Sequence, residues 1–230
     1  MMVGNPSEWA NNFTSIDERL MARIVALWPQ CLAVLPVNPE EDKITINLRS
    51  LLVKDAEARR IFYYLEYQFE PEGFTADGLA YSKGQIDLAV LLNQGCTHYL
   101  AYECKRLNVP RSGARQSLAT RYVNEGIKRF ITEQYAEGLP IGCMLGYVLD
   151  GEIPFAVSSV HSAIDTNKGG IGLSTGPDKM PPLGIAERFS TDHVRPGSGS
   201  AIHVRHSLLP FPKAIGKGKS AEKADVVSLS

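Results

Sequence analysis

"QIDLAVLLNQGCTHYLAYECKRL", residues 85–107, is the stretch on which the reading of this chain turns. Two runs rich in Ile, Leu, Val and Tyr, over 85–92 and 98–107, flank the turn-forming "NQGCT". That pattern predicts two antiparallel β-strands. Each run carries charge. Asp87 stands alone among Ile86, Leu88, Ala89 and Val90, while Glu103 and Lys105 interrupt Tyr99, Leu100, Ala101, Tyr102 and Cys104. Burying one unpaired charge costs several kcal/mol, so three in adjacent apolar strands require an explanation.

Side chains two apart on a strand share a face. Glu103 and Lys105 therefore point one way, Tyr102 and Cys104 the other. Pairing through the 93–97 turn brings Asp87 level with Glu103. Two carboxylates held close raise each other's pKa, a penalty that a divalent cation removes. Hard oxygen donors of this kind suit Mg²⁺ or Mn²⁺. A lysine beside such an ion can orient or deprotonate a water and balance charge developing on phosphorus. The competing reading of the same residues is an interstrand ion pair between Asp87 or Glu103 and Lys105.

Upstream, "SIDE" at 15–18 predicts a capping box, opening a helix that runs to residue 35 with Pro29 kinking or splitting it. "NPEEDKITINLRSLLVKD" predicts a second helix, capped by Asn38, with Pro39 at its first position and Glu40, Glu41 and Asp42 at its positive end. "DAEARRIF" reads as a short helix, "YYLEYQFEPEG" as a strand and "FTADGLAYSKG" as a loop. Downstream a long helix is expected over 114–136, its apolar stripe running from Ala119 to Ile131. A buried strand over 141–151 and a helix in "PFAVSSVHSAI" follow. A Gly- and Pro-rich loop over 167–183 then precedes two strands, "RFSTDHVR" and "AIHVRHSLLPF". The fold class is α/β, a central mixed β-sheet flanked by helices in the order α-β-β-β-α-β, with extra C-terminal strands. Residues 1–37 form an N-terminal helical extension, 38–211 the main domain, and 212–230, too poor in apolar residues to pack, a disordered tail.

A formal charge of -1 gives no bulk attraction to nucleic acid. Local charge differs: Lys105, Arg106, Arg111, Arg115, Arg121, Lys128 and Arg129 face only one acid, Glu125, over 105–129. Such a cluster can act on phosphates, or simply form a solvated helix face. Cys31, Cys96, Cys104 and Cys143 lack CxxC or Cys/His spacing, so neither zinc nor a disulfide framework is indicated. No run approaches ~20 uninterrupted apolar residues and no leader pattern is present, which points to a cytoplasmic protein without a membrane partner.

"QID" followed by "ECK" resembles the bipartite metal motif of the PD-(D/E)XK nuclease superfamily, the restriction-endonuclease-like fold. Its shared core, helix, three-strand meander, helix, strand, matches the order read over about 38–151. Gln85-Ile86 stands where the name-giving proline precedes the Asp. The resemblance implies Asp87 and Glu103 as metal carboxylates, the Cys104 backbone carbonyl as a further ligand, and Lys105 as the catalytic lysine, with Mg²⁺ or Mn²⁺ as cofactor. Many members also carry an acid on the first core helix, and Glu41 is the best match. Glu41 equally suits an N-x-x-E cap with Asn38.

Nucleic-acid contacts are expected from Gln116, Arg121, Lys128 and Arg129, and from His193 and Arg195 if "STDHVR" lies at the phosphate edge. Gln116 and Tyr122 are similar to polar and aromatic residues that some members place after the acid-x-Lys strand, although Tyr122 and Phe130 also fit a core. The implied function is metal-dependent hydrolysis of phosphodiester bonds in DNA, with RNA left open, in prokaryotic restriction, repair or anti-phage defence. A homodimer or a partner protein would supply specificity. The alternatives are a non-cleaving nuclease-like module that binds nucleic acid or protein, and a structural ion-pair cluster in an unrelated α/β protein.

Overall fold

The computed structural model describes residues 6–96 and 98–212. Helix α1 (Pro6–Ala33) and helix α2 (Glu41–Leu52) lead into strand β1 (Tyr64–Phe69), a ribbon of β2 (Glu72–Phe74) and β3 (Ala80–Ser82), then β4 (Ile86–Leu91) and β5 (Tyr99–Leu107). A second ribbon, β6 (Val109–Arg111) and β7 (Ala114–Gln116), precedes a helical segment made of α3 (Ala119–Tyr122), a π-helical turn over Val123–Ile127 and α4 (Lys128–Ile131). Strand β8 (Ile141–Val148), helix α5 (Ile153–Asn167) and strands β9 (Leu173–Lys179), β10 (Glu187–Val194) and β11 (Ala201–Pro210) complete the order.

Seven strands form one sheet in the order β1-β4-β5-β8-β11-β10-β9. The pairs β1–β4 and β4–β5 are antiparallel, and β8 lies parallel to both β5 and β11. The chain is thus a mixed α/β sheet with helices on both faces. All eight β8 residues are buried, as a strand covered on both sides must be. Their alternation assigns the layers. Tyr147 stacks on Trp28 of α1 at 5.8 Å and its hydroxyl bonds Thr45 of α2 at 3.1 Å. Gly142 and Gly146 face the other way, where an added Cβ would meet the Phe130 ring at the first and the Leu208 side chain at the second, with Tyr122 close by.

Several expectations are corrected. Helix α1 begins nine residues before Ser15, so "SIDE" lies within it, and Pro29 sits inside an unbroken helix. Its buried Phe13, Leu20, Met21, Ile24 and Trp28 belong to the same core as the sheet rather than to an extension. Helix α2 starts at Glu41 with Glu40 at the N-cap, and Asn38 takes a left-handed φ of 54° instead of capping. The helix expected from 114 starts at Ala119, because 109–116 folds as a ribbon around Ser112 (φ 48°) and Gly113 (φ 79°). The loops expected at 167–183 and in "FTADGLAYSKG" contain β9 and β3. From residue 213 onward the expected tail lies outside the described residues. Among the described residues no helix is long and apolar enough to cross a membrane.

Glu18, freed from any capping role, joins a buried ion network. Asp17 accepts from the Tyr102 hydroxyl at 2.7 Å, from Arg205 Nε at 2.6 Å and from Arg188 Nη2 at 3.2 Å, while Arg188 also forks onto Glu18 at 2.7 and 2.8 Å. This network ties α1 to β5, β10 and β11. Removing one member of a buried ion cluster typically costs ~3–5 kcal/mol. Asp17→Ala should therefore lose about that much in urea-unfolding free energy, whereas Arg23→Ala, which breaks the more exposed pair with Asp55, should lose clearly less. Equal losses in the two variants would deny the network its central role.

Candidate metal and phosphate site

The site begins where the β4–β5 ladder ends. The last paired residues are Leu88 and Tyr102, and one step further the register sets Asp87 opposite Glu103. In place of a ladder bond, Asp87 Oδ2 accepts the backbone N–H of Cys104 at 2.7 Å. On β5, Tyr102 reaches the α1 layer while Glu103 lies under Gly126, whose added Cβ would stand 3.7 Å from the Glu103 chain. Gly126 sits in the π-helical turn, a feature frequent at functional sites.

Lys105 stands at the centre. Its Nζ lies 2.7 Å from Glu103 Oε1, 2.8 Å from the Cys104 carbonyl oxygen, 3.0 Å from Glu41 Oε1 and 3.7 Å from Asp87 Oδ2. Glu41 Oε2 accepts the Arg106 N–H at 2.7 Å, which fixes Glu41 in the site and settles its reading against a cap. Glu103 Oε1 also accepts from Arg129 Nη1 at 2.7 Å, and the same nitrogen donates to the Tyr135 hydroxyl at 2.8 Å. That hydroxyl donates in turn to the Gln85 carbonyl, closing a loop back to β4. From the sequence Arg106 stood out only as one member of the basic cluster, and Tyr135 not at all. Arg106 carried a signal, a cation directly after Lys105, but Tyr135 meets Gln85 across 50 residues with no local pattern.

Charge in this cluster is unequal: Glu41, Asp87 and Glu103 face Lys105 and Arg129. Burial, then the Asp87 carboxylate, pushes Glu103 up to about 8. Burial likewise raises Asp87. For Lys105 burial works downward, but Glu103, Asp87 and Glu41 outweigh it and hold the ammonium above its ordinary value. Glu103 Oε2 is buried without a hydrogen-bond partner. An orphaned carboxylate oxygen beside three further oxygen donors fits a hard divalent cation. Among the described residues no three acidic, His or Cys side chains already stand in metal-holding geometry, since they are disposed around the Lys105 ammonium.

A cleft of about 310 Å³ opens onto Lys105 and Glu41, with Glu40, Asp42, Arg106, Leu118, Arg121 and Glu125 completing its wall. Arg121 lies in that wall, held by both Glu125 oxygens at 3.2 Å. Lys128 and Gln116 are exposed. Arg129 turns inward to Glu103 instead of toward solvent.

His193 and Arg195 do not reach this site, which corrects the expectation that they line a phosphate edge. Both are buried. The Tyr122 hydroxyl donates to His206 Nδ1, His206 Nε2–H to Thr191, the Thr191 hydroxyl to His193 Nε2, and His193 Nδ1–H to the Ile171 carbonyl, at 3.0, 2.9, 2.7 and 2.8 Å. That assignment serves every group with both rings neutral. Arg195 Nε donates to the carbonyl of Phe130 in α4, and Nη2 to that of Ala136 beyond it. Tyr122 and Phe130 are likewise core residues.

The raised Glu103 carboxyl has a measurable signature. The folded chain keeps this proton up to about pH 8, whereas the unfolded chain releases it near 4.5, so stability falls as pH rises through that window. In chelator-treated protein, Glu103→Gln should remove a downward slope of up to about 1.4 kcal/mol per pH unit between pH 6 and 8. Parallel stability–pH curves for the two proteins would place the Glu103 proton elsewhere.

Comparisons with protein-family models, curated proteins and solved structures return no match. What the site does is decided by its own geometry and charge.

Proposed function

We propose that this chain is a metal-dependent nuclease of the PD-(D/E)XK type that hydrolyses phosphodiester bonds of DNA. One observation carries the reading: Lys105 Nζ lies within 3.7 Å of the Glu103, Asp87 and Glu41 carboxylates and the Cys104 carbonyl, at the end of a two-strand ladder. The order α2, β1–β4–β5 meander, α3–α4, β8 supports a restriction-endonuclease-like core around it. A prokaryotic restriction, repair or anti-phage setting follows from the resemblance, and RNA is the competing substrate.

Asp87, Glu103, the Cys104 carbonyl and Glu41 would hold Mg²⁺ or Mn²⁺. The ion supplies Lewis-acid polarisation and a more acidic water. The chain's own groups do the rest. Arg129 and Tyr135 fix the Glu103 rotamer. Lys105, on the cleft side, orients a water toward phosphorus and offsets the charge that develops there. Removing such a positioned group commonly costs ~10²–10⁴ in rate.

A second reading has one observation in its favour. Acids outnumber bases in the cleft wall, and Arg106 and Arg121 are already paired with Glu40 and Glu125. A non-cleaving module, with a protein partner in place of a polyanion, fits that balance.

Cleavage of single- and double-stranded DNA and of RNA, assayed with Mg²⁺ and Mn²⁺, tests both. Lys105→Ala should cut at least ~10²-fold more slowly than the parent. Asp87→Ala should lose activity with partial recovery in excess Mn²⁺. Parent protein that binds nucleic acid and Mn²⁺ yet cuts nothing would select the non-cleaving module. A Lys105→Ala variant as fast as an active parent would make Lys105 a structural partner.

The basic face has its own test. Arg121→Ala and Lys128→Ala should each weaken nucleic-acid binding and lower the log K against log [salt] slope by about one. Unchanged binding at low salt would return both residues to a solvated surface.

A further inference from the structure

Lys105 stands where a divalent ion would. Glu103 Oε1, the Cys104 carbonyl and Glu41 Oε1, from three of the four groups that fit such an ion, lie within 3.0 Å of its Nζ. An ammonium and a metal ion would compete for those oxygens, and together they would put like charges a few ångströms apart inside a largely buried site. The lysine has an exit. It ends four methylenes on a mobile stem, and together with Glu41 it lines the open cleft, while Glu103 is fully buried behind it.

We propose that Lys105 is the resident cation of this carboxylate cage, and that divalent-ion loading is an exchange that releases its ammonium into the cleft. This rests on reading the site as a cation centre and not on cleavage. The exchange keeps the charge account workable: three carboxylates then face a doubly charged ion plus Arg129. It also couples two ligands. An ammonium displaced into the cleft meets an arriving phosphate oxygen, so the ion and a polyanion each strengthen binding of the other. The same side chain closes the cage and serves the substrate.

Two measurements on the full chain test it. In the first, Mn²⁺ is titrated calorimetrically into the parent and into Lys105→Met, which keeps the stem's bulk without the charge. The variant should bind at least about tenfold more tightly, because it has no internal cation to displace. In the second, the parent is pulse-acetylated with acetic anhydride in chelator and in saturating Mn²⁺, and modification is read by mass spectrometry. Lys105 should label several-fold faster with Mn²⁺, while exposed Lys128 stays constant as the internal reference. Equal or weaker Mn²⁺ binding by a folded Lys105→Met overturns the exchange and leaves the cation centre standing. Absence of Mn²⁺ binding in both proteins overturns the two together. Where Lys105→Met does not fold, the labelling decides alone: unchanged Lys105 reactivity in parent protein that binds Mn²⁺ refutes the exchange.

Discussion

The pleat of β5 is the constraint on which the molecule depends. Its alternation sends Tyr102 into the α1 layer, where its hydroxyl meets Asp17, and sends Glu103 and Lys105 toward the α3–α4 segment. Its backbone serves both sides as well: the Cys104 N–H binds Asp87 and the Arg106 N–H binds Glu41. A one-residue slip would invert this assignment, placing two charges in the α1 layer and a tyrosine among the carboxylates. Parallel pairing with β8 from Tyr102 to Leu107 makes that slip costly, because every β8 residue is buried.

Two charged clusters sit on opposite faces of this strand and differ in kind. On the α1 side, Asp17 and Glu18 are matched by Arg188 and Arg205, and Asp17 accepts four donors, from Tyr102, Cys143, Arg188 and Arg205. Such a cluster is balanced in charge without a ligand, and among its buried side-chain atoms only Arg188 Nε lacks a hydrogen-bond partner. Across the sheet, three carboxylates face one lysine and one arginine, and Glu103 Oε2 receives nothing. Burial penalises that excess, and the raised Glu103 carboxyl expresses it. The first arrangement fixes a helix on a sheet. The second leaves a site that gains from one further cation.

Period-two patterning made the centre of this arrangement legible. Asp87, Glu103 and Lys105 stand out because charge interrupts apolar strands, and the antiparallel β4–β5 register sets their level. Contacts set by tertiary packing were not legible. Glu41 reads equally well as a cap until Lys105 and the Arg106 N–H are seen to take its two oxygens. His193 and Arg195 look like surface groups on a strand, and become core residues only because Thr191 and the Ile171 carbonyl partner the one and the Phe130 and Ala136 carbonyls the other. The 109–116 ribbon did leave a local mark: Ser112-Gly113 is a two-residue loop with both φ values positive, the hairpin turn chemistry that a long-helix reading overlooks.

The α1 network also bears on how the chain comes into being. Asp17 and Arg205 are 188 residues apart, and the Trp28 indole N–H donates to the Pro210 carbonyl across 182. Helix α1 is secured by a strand made far later in synthesis. At ~5–20 residues per second, ribosomal synthesis separates the two by about 10–40 s. Through that interval Phe13, Leu20, Ile24 and Trp28 have no finished sheet to cover, and Asp17 has neither of its arginines. A nascent chain of this design carries an apolar helix face that stays uncovered until β11 has been made.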